Sequence, residues 1–264
     1  YTEWLEALKS IDVIFHCAAM VSHPTGNSNN LIDEYRKVNV DAVHNLAEQA
    51  VSTGVKRLIF LSTIKVMGEN TSSGYRFSHD KPTAPQEAYA ISKLEAEKVL
   101  WQIAQKSSLE VVILRPPLIY GPEVKGNFAS LIRAIDRGLP MPFGAIDNYR
   151  SLVGLDNLID LLILCANHPN AAGKTFLVSD GEDLSTPELL RRLAKARGRP
   201  SRLVPVPPVF LQYAGRMTRK SGSVDRIIGS LQVDISHTQR TLDWTPSLSV
   251  DEGLKRLNPA KNML

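Results

Sequence analysis

The sequence has little cysteine: Cys17 and Cys165 are the only two among 264 residues. Two thiols exclude the disulfide framework of a small secreted domain. Their apolar settings, "VIFHCAA" and "LLILCAN", read as buried free thiols in a reducing compartment, which points to the cytoplasm. No cysteine or histidine grouping has metal-ligand spacing, so no metal is expected. Long apolar runs are lacking too. None approaches the roughly 20 residues that cross a bilayer, so no membrane partner is expected. The first residues, "YTEWLEALKS", lack the basic start and apolar centre of a secretory signal. No charge of one sign dominates, the net charge being +4. The densest basic stretch, "RRLAKARGRPSR" from Arg191 to Arg202, has no interleaved aromatics. It reads as a solvated helix face and its closing turn, and no nucleic-acid partner is expected. Internal repeats and low-complexity tracts are absent.

What remains is ordinary globular composition, 43% hydrophobic and 22% charged, enough for one large domain or two small ones. Short apolar runs alternate with helix-length amphipathic stretches. "IDVIFHCAA" (Ile11 to Ala19) predicts a strand ending in small residues. A helix from about Leu31 to Val51 follows and is stopped by "TGV". "KRLIFLST" (Lys56 to Thr63) predicts a second strand, Glu87 to Ala104 a second helix, and "LEVVILRPP" a third strand. Runs this short, apolar on both faces and separated by helices, belong to a parallel sheet covered on both sides. With right-handed crossovers the fold class is α/β, a doubly wound parallel sheet.

Beyond Pro122 the rhythm changes. "NFASLIRAIDRG" predicts a helix closed by Gly138, and "PMPFG" and "RSLVGL" read as extended pieces. A helix near Asp156 to Ala166 precedes "KTFLVSD". "STPELLRRLAKARG" opens with Ser185 as N-cap and Glu188 completing a capping box. The Pro-rich tail, with "LVPVPPVFL" and "TLDWTP", reads as irregular. The expected division is a nucleotide-binding part over about 1–122 and 150–178, and a smaller mixed α/β substrate lobe over about 123–149 and 179–258.

Ligands of open α/β sheets bind beyond the carboxyl ends of the strands. Ala18 and Ala19 follow the first expected strand, Ser62 and Thr63 the second, and Arg115 to Pro117 the third. Tyr89 and Lys93, in "EAYAISKLEAEK", lie at i, i+4 on the helix feeding that third strand and so share a face. A lysine ammonium there is expected to lower the phenol's pKa and make Tyr89 a general base, with Thr63 bonding the substrate oxygen. The spacing alone is weak evidence; its placement among strand-end hydroxyls and small residues strengthens it.

"IFHCAA", "VNV" at Val38 to Val40, "FLSTIKVMGE", "YAISK", "LRPPLIYGP" and "RSLVGLDNLID", in that order, resemble the extended short-chain dehydrogenase/reductases. More narrowly they resemble the NAD-dependent nucleotide-sugar epimerase/dehydratase branch. "STIKVMGE", "FLVSDGEDLST" and "GSLQVDIS" are similar to a bacterial UDP-glucose 4-epimerase-like subgroup associated with surface-polysaccharide sugars. The resemblance implies a Rossmann-like sheet, NAD as cofactor, a UDP-sugar as substrate and a homodimer. It makes Tyr89, Lys93 and Thr63 catalytic, with Lys93 also holding the nicotinamide ribose. Ala18, Ala19, Asn39, Ser62, Pro116 and Pro117 become cofactor contacts, together with Tyr89 and Lys93. Asn127, Arg150 and Arg226 become substrate contacts at the diphosphate, although both arginines also fit a plain role in surface ion pairs. Leu231 falls where such epimerases place a gatekeeper beside the sugar 2-substituent, and a leucine there leaves room for an N-acetyl group. His16 and His23 read as structural.

One departure stands out: the sequence has no G-x-x-G-x-x-G turn, the element that cradles a pyrophosphate at a helix N-terminus. Against the family, roughly 60 residues of the nucleotide-binding half are expected to be missing, about two βα units. The strand at Ile11 to Phe15 then becomes a sheet edge, with weak NAD binding and edge-to-edge dimerisation or aggregation as the expected consequences. The implied chemistry is inversion at C4 of UDP-glucose or a UDP-N-acetylhexosamine through a transient 4-ketose. The alternatives are an NAD(P)H-dependent 4-reductase of a UDP-4-keto-6-deoxyhexosamine and a non-catalytic remnant that binds a sugar nucleotide. A hydroxysteroid dehydrogenase shares "YAISK" but not the arginines. A dehydratase carries an acidic pair where this chain has Ile64 and Lys65.

Overall fold

The computed structural model describes residues 2–21, 31–218 and 221–257. Its first sheet grows from the apolar runs. Strand β1 (Val13–His16) pairs in parallel with β2 (Arg57–Leu61), and β2 with β3 (Glu110–Arg115). The fourth strand of this sheet comes from "KTFL", Lys174–Leu177, so the order runs β1, β2, β3 and then that strand, all parallel, with β1 at an edge. Side chains alternate across the pleat. Leu58, Phe60, Val111 and Ile113 face one cluster. Ile59, Val112 and Leu114 face the other. Both faces are buried, which is why the strands read as unbroken apolar runs.

The first face is covered by α2 (Ala42–Thr53) and α3 (Ala88–Lys106), with α1 (Leu31–Arg36) packed against α3. The single helix expected from Leu31 to Val51 is interrupted: Lys37–Asp41 forms a π-helical turn between α1 and α2. Gly54 ends α2 in the left-handed region at φ 79°, its N–H bonding the Ala50 and Val51 carbonyls, as a helix-stopping glycine does.

A second sheet contains β4 (Leu118–Tyr120), parallel to β5 (Arg150–Gly154), which pairs antiparallel with a short strand at Asp183–Leu184. Counting along the chain, the Lys174–Leu177 strand is β6 and the Asp183–Leu184 strand is β7. Helices α4 (Gly126–Asp136), α5 (Leu155–Asn167) and α6 (Thr186–Ala196) lie along this half, with α5 also covering the second face of the first sheet.

Three local expectations need correction. The tail is helical rather than irregular: α7 (Pro208–Met217), α8 (Ser221–Ile228), α9 (Ser236–Leu242) and α10 (Val250–Lys255) follow one another. Pro208 marks the start of α7, where a missing N–H costs nothing. Ser185 does cap α6 by accepting from the Glu188 N–H at 3.2 Å. The reciprocal bond is not made, because Glu188 turns to Arg192 at 2.9 Å. The complete capping box is at Ser249 and Glu252, which open α10. Finally, Cys165 is buried but Cys17 is exposed, because it lies just past the end of an edge strand.

Asp180 ties the two sheets together just after β6. It accepts the Tyr120 hydroxyl at the end of β4 (2.7 Å), the Gly154 N–H at the end of β5 (2.9 Å) and the Asn157 amide on α5 (2.7 Å). Removing one donor from this buried carboxylate leaves it partly unsatisfied. Tyr120→Phe should cost about 1–3 kcal/mol of unfolding free energy by urea titration; an unchanged midpoint would show that the tie is dispensable.

Candidate active site

Beyond β1 the chain turns through Cys17 to Met20. Asn39 holds that turn from the π-helical segment, where an inserted residue redirects side chains and which is a recurrent feature of functional sites. Asn39 is 1% exposed. Its Oδ1 accepts the Met20 N–H at 2.8 Å, and its Nδ2 donates to the Met20 carbonyl and to Ser92 Oγ, both at 3.0 Å. Ser92 Oγ in turn donates to the Tyr89 carbonyl at 2.8 Å. One asparagine therefore joins the strand-end turn to the first turn of α3. Ala18 is exposed and Ala19 half-buried on that turn, presenting little beyond backbone.

The ends of β2 and β3 are held in step by main-chain bonds, Ser62 N–H to Leu114 O (2.7 Å) and Ile64 N–H to Pro116 O (2.9 Å). Pro116 and Pro117 are buried there. The Ser62 hydroxyl donates to Glu97, which also receives Arg115 Nε at 3.0 Å and Nη2 at 2.6 Å. Thr63 caps the turn Ile64–Val66, its hydroxyl accepting the Lys65 N–H at 3.3 Å. Its O–H donates to no group among the described residues, so that proton is available to a ligand.

Tyr89 and Lys93 share the inner side of α3, but their electrostatics differ from expectation. Lys93 is 1% exposed, and its ammonium rests 3.8 Å from the centroid of the Phe60 ring. Among the described residues it makes no ion pair within salt-bridge distance. Burial pushes its pKa down to about 7, with Glu97 and then Cys17 pulling the other way. Burial pushes the Tyr89 phenol up to about 12, and Tyr35, whose ring meets it edge-on with centroids 6.2 Å apart, adds to the rise. Lys93 therefore does not acidify Tyr89 in this state. Desolvation wins over the helical spacing, because the ammonium lies over Phe60. His16 ends β1 with a buried Nδ1 that has no hydrogen-bond partner. Burial, then Lys93, lowers its pKa to about 4, so the ring is neutral.

On the other side of Tyr89 stands a set of charges that the sequence reading did not single out. Lys65 bridges Glu87 at 2.5 Å and Glu69 at 3.0 Å. Glu87, two residues before Tyr89, also receives Arg226 of α8 at 2.8 Å. Arg226 is thus an exposed ion-pair partner. Arg150 is half-buried and donates to the Gly229 carbonyl at 2.8 Å; burial lowers its pKa, Glu69 opposes this and Arg226 adds to it. Asn127 is exposed in the first turn of α4 and makes no side-chain hydrogen bond among the described residues. Leu231 is buried in the core, and its N–H bonds the Tyr149 carbonyl at 2.9 Å, so the leucine packs inward in this state instead of facing an open pocket. His23 lies outside the described residues. Glu97 had a readable signal, one turn beyond Lys93 on the same face. Glu87 had only its place beside the helix start.

The ends of the parallel strands, with Thr63 after β2 and with Tyr89 and the buried Lys93 on α3, are where open α/β sheets bind their ligands. The chain matches the NAD dependent epimerase/dehydratase family over residues 1–179. It is 48% identical over 256 residues to a UDP-glucose 4-epimerase of Vibrio cholerae, covering 97% of this chain and 78% of that protein. It is 29% identical over 177 residues to the N-acetyl-alpha-D-glucosaminyl-diphospho-ditrans,octacis-undecaprenol 4-epimerase of Escherichia coli O157:H7, covering 66% of this chain and 53% of that protein. Among solved structures, the UDP-glucuronic acid 4-epimerase of Bacillus cereus in complex with NAD shares the fold. Its TM-score is 0.76 at 21% identity, over 97% of this chain and 74% of that one. The chain belongs to the NAD dependent epimerase/dehydratase family.

The lysine shift has a consequence for stability. The unfolded chain keeps the Lys93 proton up to its ordinary value of 10.5, whereas the folded chain releases it near 7. Between those values the unfolded state binds more protons, so the Lys93 contribution makes stability rise with pH. Lys93→Met should remove that rise when urea unfolding at pH 7 and pH 9 is compared; the same pH dependence in both proteins would contradict the shift.

Proposed function

We propose that the protein is an NAD-dependent UDP-sugar 4-epimerase. The observation that carries this reading is Lys93: an ammonium almost wholly withdrawn from water, one helical turn after Tyr89, with no carboxylate paired to it among the described residues. A cation kept so is poised to receive hydroxyl or phosphate oxygens from a ligand. The unpartnered Nδ1 of His16 and the small residues Ala18 and Ala19 fit a bulky cofactor passing over the end of β1. Lys93, Asn39, Ser62, Pro116 and Pro117 are the residues that would line its nicotinamide end.

Bound NAD supplies the acceptor and donor for hydride at the sugar C4. The protein's part is to move the accompanying proton. Tyr89 takes the proton of the 4-hydroxyl and later returns one to the same oxygen, so that the ketose reduced from its opposite face leaves with C4 inverted. Thr63 donates its free O–H to that oxygen and steadies the charge that develops there. With its pKa pushed up to about 12 by burial, Tyr89 is a neutral phenol at pH 7. Positive charge brought beside it on binding works against desolvation and lowers that pKa. Lys93, near half-protonation at pH 7, supplies an adjustable part of that charge.

On the substrate side, Arg150 and Arg226 are proposed to meet the diphosphate, with Asn127 near it. Arg226 must first leave Glu87. The N-acetyl group of a UDP-N-acetylhexosamine is accommodated if Leu231 yields from its packed position.

The test uses the product of the gene that encodes this sequence, assayed with UDP-glucose and UDP-N-acetylglucosamine. The expected result is interconversion at C4 with no net NADH change, and a loss of about 10²–10⁴ in kcat for Tyr89→Phe with NAD still bound. Retained turnover in that variant would put the base elsewhere. Stoichiometric NADH consumption would instead make the protein a reductase, and UDP-sugar binding without turnover a remnant.

A further inference from the structure

Glu87 occupies the N-cap position of α3, yet its side chain makes no capping bond to the helix. Serine, threonine, aspartate and asparagine serve at such positions because their short side chains reach the free N–H groups of the first turn. The longer Glu87 carboxylate turns to cations from distant parts of the chain. One oxygen receives Lys65 at 2.5 Å and the other receives Arg226 of α8 at 2.8 Å. Helix capping therefore does not account for this acid, which stands two residues before Tyr89.

The cations around it form a set. Arg150 is fixed by its bond to the carbonyl of Gly229, the residue that follows α8. Arg226, on that same helix, is close enough to disfavour the charge on Arg150. Each guanidinium has an acid that offsets it, Glu69 for Arg150 and Glu87 for Arg226. Lys65 joins the two acids, at 3.0 Å from Glu69 and 2.5 Å from Glu87. Two like charges gathered at the border of a site are an arrangement that a ligand carrying two phosphate groups stabilises. Glu87 fills that place on Arg226, which has no other ion pair among the described residues.

We infer that Glu87 is an internal competitor of the substrate, a carboxylate that stands in for the diphosphate on Arg226 until the nucleotide displaces it. This role presupposes that Arg226 meets the diphosphate, as proposed above. The side chains of Arg226 and Glu87 are 48% and 39% exposed. An ion pair that wet is worth little, so a phosphate can break it. Displacement does not strand the acid, because Lys65 still holds its other oxygen.

The test is isothermal titration of the full chain with UDP, repeated for Glu87→Gln, Arg226→Gln and the two combined. Both side chains are partly exposed, so the thermal midpoints should stay close to the parent. Glu87→Gln should bind UDP about two- to fivefold more tightly, the range for removing one exposed ion pair, and raised salt should shrink the gain. Arg226→Gln should weaken binding, and in that background Glu87→Gln should lose most of its effect. If the parent binds no UDP, or Arg226→Gln binds it as the parent does, the diphosphate role of Arg226 fails and the competitor role with it. If Arg226→Gln weakens binding while Glu87→Gln gives no gain, the competitor role alone is overturned. A full gain from Glu87→Gln in the absence of Arg226 overturns it as well.

Discussion

The candidate site depends on one unfavourable placement, an ammonium group inside the protein with no carboxylate paired to it among the described residues. Taking such a charge out of water costs several kcal/mol, whereas its contact with the face of Phe60 returns about 2 kcal/mol or somewhat more. Glu97, which favours the charged form of Lys93, does not pair with it, because Arg115 and Ser62 already occupy its oxygens. The result is a lysine whose proton is loosely held near neutral pH. The surrounding structure is what enforces this: α3 is packed on the sheet through Ala96, Leu100 and Ile103, so Lys93 is carried inward with the helix.

The rest of the site follows from the same packing. Because β2 and β3 are parallel and in register from Arg57 with Glu110 to Leu61 with Leu114, their carboxyl ends finish together. Thr63 and Pro116 therefore arrive at the same edge. Asn39 locks the β1 turn to α3, so the small-residue segment and the tyrosine helix cannot shift independently. The Lys65, Glu87 and Arg226 charges do the same for the opposite side, joining the turn after β2, the start of α3 and α8. Each of these ties is a side chain reaching between elements that are distant in sequence.

That distinction explains what the sequence alone could tell. The parallel sheet was legible because strands buried on both faces must be apolar throughout, as "RLIFL" and "VVILR" are. The stop at Gly54, the helix of Tyr89 and Lys93 and the strand-end threonine were legible because spacing and chemistry are local. The π-helical turn was not, since nothing in the spacing of "KVNVD" distinguishes it from the helix on either side. The direction of the Tyr89 shift was misread for a related reason. Helical spacing gives proximity, but only the packed structure shows that Phe60 takes the ammonium and that burial outweighs attraction. Cys17, expected to be buried, is left outside by an edge strand. The short tail helices were hidden because their stability comes from packing more than from their own composition.

The account stands on the protonation of Lys93, and a direct titration decides it. Nuclear magnetic resonance of the lysine side chains across pH 5 to 11, with Lys93 assigned by its disappearance in Lys93→Met, should show one midpoint near 7. A Lys93 midpoint at the ordinary lysine value would mean that the ammonium is solvated or paired, and the proposed proton chemistry at this sheet edge would lose its physical basis.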